Sequence, residues 1–230
     1  MLLGSDASFG GRRDYFDNHN YVIKDYYTAI DDNVIDSDYY EWWGYEDSKL
    51  FNYAKEILSD ISRDDEPFNF TMLTSNTHFT DGYLEDECGS EFDNAYSNSF
   101  YCFDIMINEF IEWIKKQDFY DDTTIVVVGD HLTMQDGFYN KKDYDNRTIY
   151  NVFINTNIDS DFKEKNRVFT VIDMFPTTIA SIGGIIEGDR IGLGTNLFSN
   201  ESTIPEIIGI KNFNEELSKS SHYYYNYIRK

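Results

Sequence analysis

Thr123-Thr124-Ile125-Val126-Val127-Val128-Gly129-Asp130-His131 is the stretch whose reading decides the fold. Four β-branched residues in succession, Ile125 to Val128, bounded by polar residues and a glycine, predict a fully buried strand of a parallel sheet. Asp130 and His131, two strong ligand types, follow at once. In open α/β sheets, sites form just beyond the carboxyl ends of the strands, and Gly129 lets the chain turn there without a Cβ clash. A carboxylate and an imidazole side by side on that turn are placed to hold a divalent metal. The competing reading is an N-cap aspartate followed by a surface histidine.

Upstream, Phe68 to Thr74 reads as a second buried strand running into Ser75-Asn76-Thr77-His78-Phe79. A lone histidine is more often structural, but His78 repeats the strand-end position of His131. Between the two strands, Phe92, Tyr96, Phe100, Phe103, Ile107, Phe110 and Ile114 trace a stripe at three- and four-residue steps, which predicts a helix over 91–117. The unit is then β-α-β, with parallel strands and a right-handed crossover. That topology would put both strand ends on one sheet edge and His78 near Asp130 and His131.

Further out, Gly4 to Arg13 is a loop by its glycines and small polar residues. Arg12 and Arg13, after Gly10-Gly11, could grip an anion through their planar forks, or form a solvated basic spot. Trp42-Trp43 interrupts a polar stretch and either plugs the core or lines a pocket rim; the core is expected for at least one. Asp47 or Ser48 is expected to cap a helix whose apolar face is Leu50, Phe51, Ala54, Ile57, Leu58 and Ile61. Beyond His131, a strand is expected over 148–154 and an extended stretch over 168–172. Asp173 then caps a helix with Pro176 in its first turn, stopped by Gly183-Gly184. Tyr223-Tyr224-Tyr225 reads as an edge strand or a packed tail.

The 230 residues suffice for one α/β domain or most of a larger one. Nineteen Lys and Arg against 42 Asp and Glu give a net charge of −23, which argues against binding nucleic acid or an anionic membrane through the general field. The acidic residues are dispersed rather than gathered in a tail, so the chain is expected to be ordered. Cys88 and Cys102 form neither a metal-spacing motif nor a disulfide framework; two free thiols are expected, with a single bridge as the alternative. No apolar run is long enough to span a membrane, and Met1-Leu2-Leu3-Gly4 is too short for a signal peptide.

Several segments together resemble one family in its order along the chain. They are Gly4-Ser-Asp-Ala-Ser-Phe-Gly-Gly-Arg12, Trp43-Gly44 with its helix, Leu73-Thr-Ser-Asn-Thr-His-Phe79, Glu91-Phe-Asp-Asn-Ala-Tyr96, Asp118 to His131, Ile172-Asp-Met-Phe-Pro-Thr177 and Gly192-Leu-Gly-Thr-Asn-Leu197. The chain resembles the C-terminal part of the catalytic domain of the lipoteichoic acid synthase and phosphoglycerol transferase family, within the sulfatase and alkaline phosphatase superfamily. The resemblance implies an alkaline phosphatase-like α/β fold, a three-layer sandwich with a mostly parallel sheet, lacking its N-terminal strand and helix. Residues 1–230 would be a single, N-terminally incomplete catalytic domain.

Residue by residue, the resemblance makes Asp130 and His131 two of four ligands to a divalent metal (Mn, Mg or Zn). It makes His78 the histidine that contacts the substrate phosphate or alcohol. Arg12 matches the phosphate-binding arginine, with Arg13 one place off as the alternative. Gly10 stands where one branch has a tryptophan, so the glycerol pocket is expected to differ in shape. No position matches the family's third acidic ligand or its threonine nucleophile. The implied reaction is metal-dependent transfer of glycerol phosphate from phosphatidylglycerol to a cell-surface glycan or teichoic acid, with this chain inactive alone. A sulfatase or phosphatase of the same superfamily, or a non-catalytic remnant, is the alternative. The implied setting is the extracytoplasmic face of a bacterial membrane, reached through a segment outside this chain.

Overall fold

The computed structural model describes residues 1–19, 21–64, 66–158 and 166–228. They form two compact units: residues Met1–Tyr120 with Thr133–Arg147, and Asp121–Leu132 with the chain from Thr148 onward.

In the first unit, β1 (Leu2–Leu3) pairs in parallel with β2 (Met72–Leu73), Leu2 opposite Met72 and Leu3 opposite Leu73. Both leucines of β1 are fully buried. Short helices α1 (Arg12–Asp17) and α2 (Tyr26–Asp31) follow β1. Helix α3 (Asp47–Ile61) turns Leu50, Phe51, Ala54 and Leu58 inward, as their spacing predicts. Helix α4 (Ala95–Ile114) lies against it, with the Phe51 ring centroid 5.1 Å from that of Phe110. It begins later than its apolar stripe because Asn94 caps it, accepting from the Ser97 N–H at 3.0 Å. Phe92 and Phe100, at the start of the stripe, stay exposed.

Three expectations are corrected here. The cap of α3 is Glu46, through its extended backbone; Asp47 is already helical and its carboxylate is used elsewhere. Neither tryptophan of the Trp42-Trp43 pair is buried in the core: Trp42 is half-buried and Trp43 is 38% exposed. Cys88 and Cys102 are not free thiols but a disulfide, with Cα atoms 5.6 Å apart, within the normal span for such a bridge.

In the second unit, β3 (Ile125–Val128) runs antiparallel to β4 (Asn151–Ile154), Ile125 opposite Ile154 and Val128 opposite Asn151. The ladder is prolonged by Gly129 N–H donating to the Tyr150 carbonyl at 2.9 Å. The expected parallel pairing of β2 and β3 in one sheet is therefore not found; each strand ladders within its own unit. Nor is β3 fully buried. Ile125, Val126 and Val127 are half-covered and Val128 is 42% exposed, and among the described residues β4 is the one strand that ladders with β3. A continuous β-branched run suits either setting, so its composition alone could not separate them.

The expected extended stretch at 168–172 instead ends in a 3-10 turn, Val171–Asp173, leading into α5 (Met174–Ser181). A hairpin of β5 (Arg190–Ile191) and β6 (Gly194–Thr195) and helices α6 (Ile204–Ile208) and α7 (Ile210–Leu217) follow. The 172–177 and 192–197 segments hold each other. The buried Asp173 carboxylate accepts from Thr170 N–H and from Thr195 N–H, both at 2.8 Å, and Leu197 N–H donates to Thr177 Oγ1 at 3.0 Å. A Cβ on Gly194 would stand 2.2 Å from the Ile172 carbonyl oxygen, so the hairpin can close on the helix start only with glycine there. The tyrosines at 223–225 form neither strand nor packed tail but an exposed helical turn.

Candidate active site

The loop from Gly4 to Arg13 is fixed by direct backbone contact with the Trp43-Gly44 turn. Tyr45 N–H donates to the Gly4 carbonyl at 3.1 Å, and Ser5 bridges Gly44 antiparallel. Gly44 sits at φ +151°, where a Cβ would meet the Gly4 carbonyl oxygen at 2.1 Å. Only glycine allows both the conformation and the approach. At the far end of the loop Gly11, at φ +72°, turns the chain into α1 and makes Arg12 its first residue.

The two arginines have different employment. Arg13 pairs with the fully buried Asp25, whose carboxylate also receives Ala7 N–H at 3.1 Å and caps α2 through Thr28 N–H at 3.3 Å. Arg13 thus neutralises a buried carboxylate, and its loss would strand that charge. Arg12 donates through Nη1 to the Phe9 carbonyl at 3.1 Å and lies 5.4 Å from the Phe9 ring centroid. Among the described residues it makes no ion pair, which leaves most of its five donors for an anion.

A chain of rings leads from Arg12 to His78. Phe9 lies 6.2 Å from Trp43, and Trp43 stands edge-on to His78 at 4.9 Å, centroid to centroid. The His78 backbone is held by the Ser75 carbonyl, which accepts its N–H at 3.0 Å and Trp42 Nε1–H at 2.9 Å. His78 Nδ1 lies 2.5 Å from the Phe79 carbonyl oxygen. A carbonyl can only accept, so Nδ1 carries the proton of that bond and Nε2 is the ring nitrogen left without a partner among the described residues. Ser75 Oγ is buried without a hydrogen-bond partner among the described residues. Phe9 and Trp43 complete this surface. The sequence places Phe9 in the Gly4–Arg12 segment but assigns it no part in the site, although an aromatic just before Gly-Gly-Arg-Arg is the available signal.

In the second unit, Asp130 and His131 follow β3 directly, as expected. Asp130 Oδ1 accepts His131 N–H at 2.9 Å, and His131 Nε2 lies 3.5 Å from Asp130 Oδ2. His131 Nδ1 is 2.8 Å from the Leu132 carbonyl oxygen, which again assigns the proton to Nδ1. An imidazole anchored this way has the second-sphere arrangement of a metal-ligating histidine, with Nε2 and a carboxylate on one side. The pair suits a divalent cation in donor type but supplies only half of a four-ligand set. Among the described residues no group of three or more His, Cys, Asp or Glu is placed to hold a metal. The expected convergence of His78 with this pair rests on a shared parallel sheet, and the separate ladders remove that support.

Elsewhere in the first unit a groove of about 420 Å³ is lined by Lys24, Asp32, Tyr53, Glu56 and Asp60 among others, and by none of the five candidate residues. Its three carboxylates make it a poor place for an anionic headgroup.

The fold is that of the alkaline phosphatase superfamily. A Vibrio parahaemolyticus protein of that superfamily matches 89% of the chain with a TM-score of 0.63 at 23% identity. The lipoteichoic acid synthase LtaP from Listeria monocytogenes matches 86% with a TM-score of 0.61 at 19% identity. The chain covers 48% and 52% of those two proteins. The sequence profile of the sulfatase family matches residues 5–185, and the chain belongs to that family. Among curated relatives, phosphoglycerol transferase I of Salmonella choleraesuis is 28% identical over 221 residues, 92% of this chain and 28% of the relative. Phosphoglycerol transferase I of Xanthomonas euvesicatoria is 31% identical over 138 residues, 57% of this chain and 20% of the relative. The chain thus spans less than a third of the length of these curated relatives.

Proposed function

We propose that this chain supplies the phosphate-handling surface and two metal ligands of a phosphoglycerol transferase acting on phosphatidylglycerol. The observation that carries this reading is the continuous surface Arg12–Phe9–Trp43–His78, assembled from three separate segments. It offers a guanidinium with free donors, aromatic walls and an imidazole lone pair, the groups an anionic phosphodiester with a small polyol requires. Arg12 binds the phosphate oxygens. His78 Nε2 donates to the departing alcohol when protonated and accepts from the incoming hydroxyl when not. Arg13 is set aside as the phosphate ligand, because Asp25 occupies it.

Asp130 and His131 would hold a divalent metal, Mn, Mg or Zn, whose charge would stabilise the phosphoryl oxygens. The acceptor is a glycan or teichoic-acid hydroxyl. The Cys88–Cys102 disulfide supports an oxidising compartment, hence the extracytoplasmic face of the membrane. Among the described residues no helix is long and apolar enough to cross a membrane.

The assay is release of diacylglycerol from fluorescent phosphatidylglycerol with added Mn. No residue here matches the family's nucleophile, so residues 1–230 alone should show no turnover. The chain joined to the segment that supplies the nucleophile should turn over, and His131→Ala should abolish that activity. Robust metal-dependent release by residues 1–230 alone would place the nucleophile within this chain. Hydrolysis of sulfate esters in place of lipid turnover would favour the sulfatase alternative.

A further inference from the structure

Two residues before His78, Asn76 is satisfied at every polar group by partners from three different elements. Its backbone N–H donates to Asp47 Oδ2 at 3.0 Å, and its carbonyl accepts Ser99 Oγ–H at 2.6 Å and Tyr83 N–H at 2.7 Å. Its side-chain Oδ1 accepts Asp47 N–H at 3.2 Å, and its Nδ2 donates to Glu85 Oε1 at 2.6 Å. Asp47 reaches one residue further, with Oδ1 accepting Ser75 N–H at 2.8 Å. Glu85 returns to the same helix start by accepting Ser48 N–H at 3.0 Å. Asp47, Asn76 and Glu85 are all buried, Asp47 completely.

We infer that Asp47 is a positioning residue for His78, acting through Ser75 and Asn76, with Glu85 as its second support. The physical case is one of donors and acceptors. A buried carboxylate with each oxygen taken by a consecutive backbone N–H fixes the direction of that peptide pair as a bidentate clamp. The Ser75 carbonyl, on the clamped residue, accepts the His78 N–H. The imidazole is next set by its Nδ1–H bond to the Phe79 carbonyl and by the edge of Trp43. Among the described residues the Asp47 carboxylate makes no cap of α3 and is spent on the Ser75 and Asn76 backbone. Asparagine at this position keeps the shape but offers one acceptor, and turns an N–H₂ toward the second backbone donor. The inference deepens the proposed role of His78, but its readout does not depend on that role.

The test is the ¹⁵N spectrum of the His78 ring in the 1–230 chain at alkaline pH, assigned by its disappearance in His78→Gln. The wild-type chain should show widely split ring resonances, one nitrogen protonated and one bare, as the Phe79 bond dictates. Asp47→Asn and Glu85→Ala should collapse that splitting toward a tautomer average. Glu85→Gln retains the accepting oxygen and should keep it. Leu58→Ala, a core change on the same helix, should lower the melting temperature and leave the splitting intact. If Asp47→Asn keeps the wild-type splitting, or Leu58→Ala collapses it equally, the inference is overturned. If Asp47→Asn does not fold, the Glu85 pair decides, and identical spectra for Glu85→Ala and Glu85→Gln overturn it. Failure of the transferase assay with these spectra as expected would count against the function and not against the positioning.

Discussion

The indole of Trp43 stands edge-on to the imidazole of His78 at 4.9 Å. The two residues come from different segments, and the contact exists because Gly44 lets the Trp43 turn press onto the Gly4 loop. Trp43 in turn touches Phe9, and Phe9 carries Arg12. The surface from Arg12 to His78 therefore depends on one glycine-to-backbone approach.

Gly44→Ala should break it. The Cβ would meet the Gly4 carbonyl at 2.1 Å on a backbone at φ +151°. We expect a loss on the order of 3 kcal/mol or more, with a changed near-ultraviolet tryptophan signal. Denaturant unfolding followed by near-ultraviolet circular dichroism checks both. A stable variant with an unaltered aromatic signal would show that the approach is not needed.

The motifs were legible in the sequence where they are local. The α3 face and the strand-end placement of Asp130-His131 follow from spacing, whereas the cap expected of Asp173 is made by Thr170, with Asp173 as the third residue of its capping box. What was not legible is long-range. The run Ile125–Val128 says strand but not which neighbour, and it found β4 rather than β2. Cys88 and Cys102 carry no spacing signal, and only the fold brings their Cα atoms to 5.6 Å. Asp47 looked like a cap by position, yet its carboxylate is drawn to two unpaired backbone donors elsewhere in the chain. Arg12 and Arg13 are neighbours of one type, and the choice between them needed Asp25, whose part no pattern announces.

The disulfide closes a loop between Cys88 and Cys102, separated by 14 in sequence. Replacing both with alanine should lower stability by about 3 kcal/mol through the entropy of the unfolded chain. Just outside that loop, three residues before Cys88, the Glu85 carbonyl accepts Cys88 N–H at 3.0 Å. Denaturant midpoints with and without a reducing agent measure the effect, and equal midpoints would show that the bridge contributes nothing.

Arg167 and Glu206 form an ion pair in the second unit. The Arg167 guanidinium is buried, donates to Glu206 Oε2 at 2.9 Å, and also serves the Leu197 and Ser199 carbonyls. Arg167 holds the Glu206 carboxyl down to about 2, against some burial that raises it. A carboxyl depressed in the folded state stabilises fully above its unfolded value of 4.5 and loses that contribution as pH falls toward about 2. Glu206→Gln should flatten the stability profile in that acid window and cost about 1–3 kcal/mol at neutral pH. Urea unfolding across pH checks it; parallel acid limbs in both proteins would contradict the pair's role.

The most direct test of the central claim is binding of glycerol phosphate to the 1–230 chain, titrated by NMR with the His78 ring as reporter. Wild-type chain should bind, with the His78 resonances moving. Arg12→Ala should weaken binding at least about tenfold, the cost of one charge-assisted contact. Arg13→Lys, which keeps a cation beside Asp25, should leave affinity near wild type. If Arg12→Ala binds as tightly as wild type, or saturation leaves His78 unmoved, the surface from Arg12 to His78 does not handle phosphate.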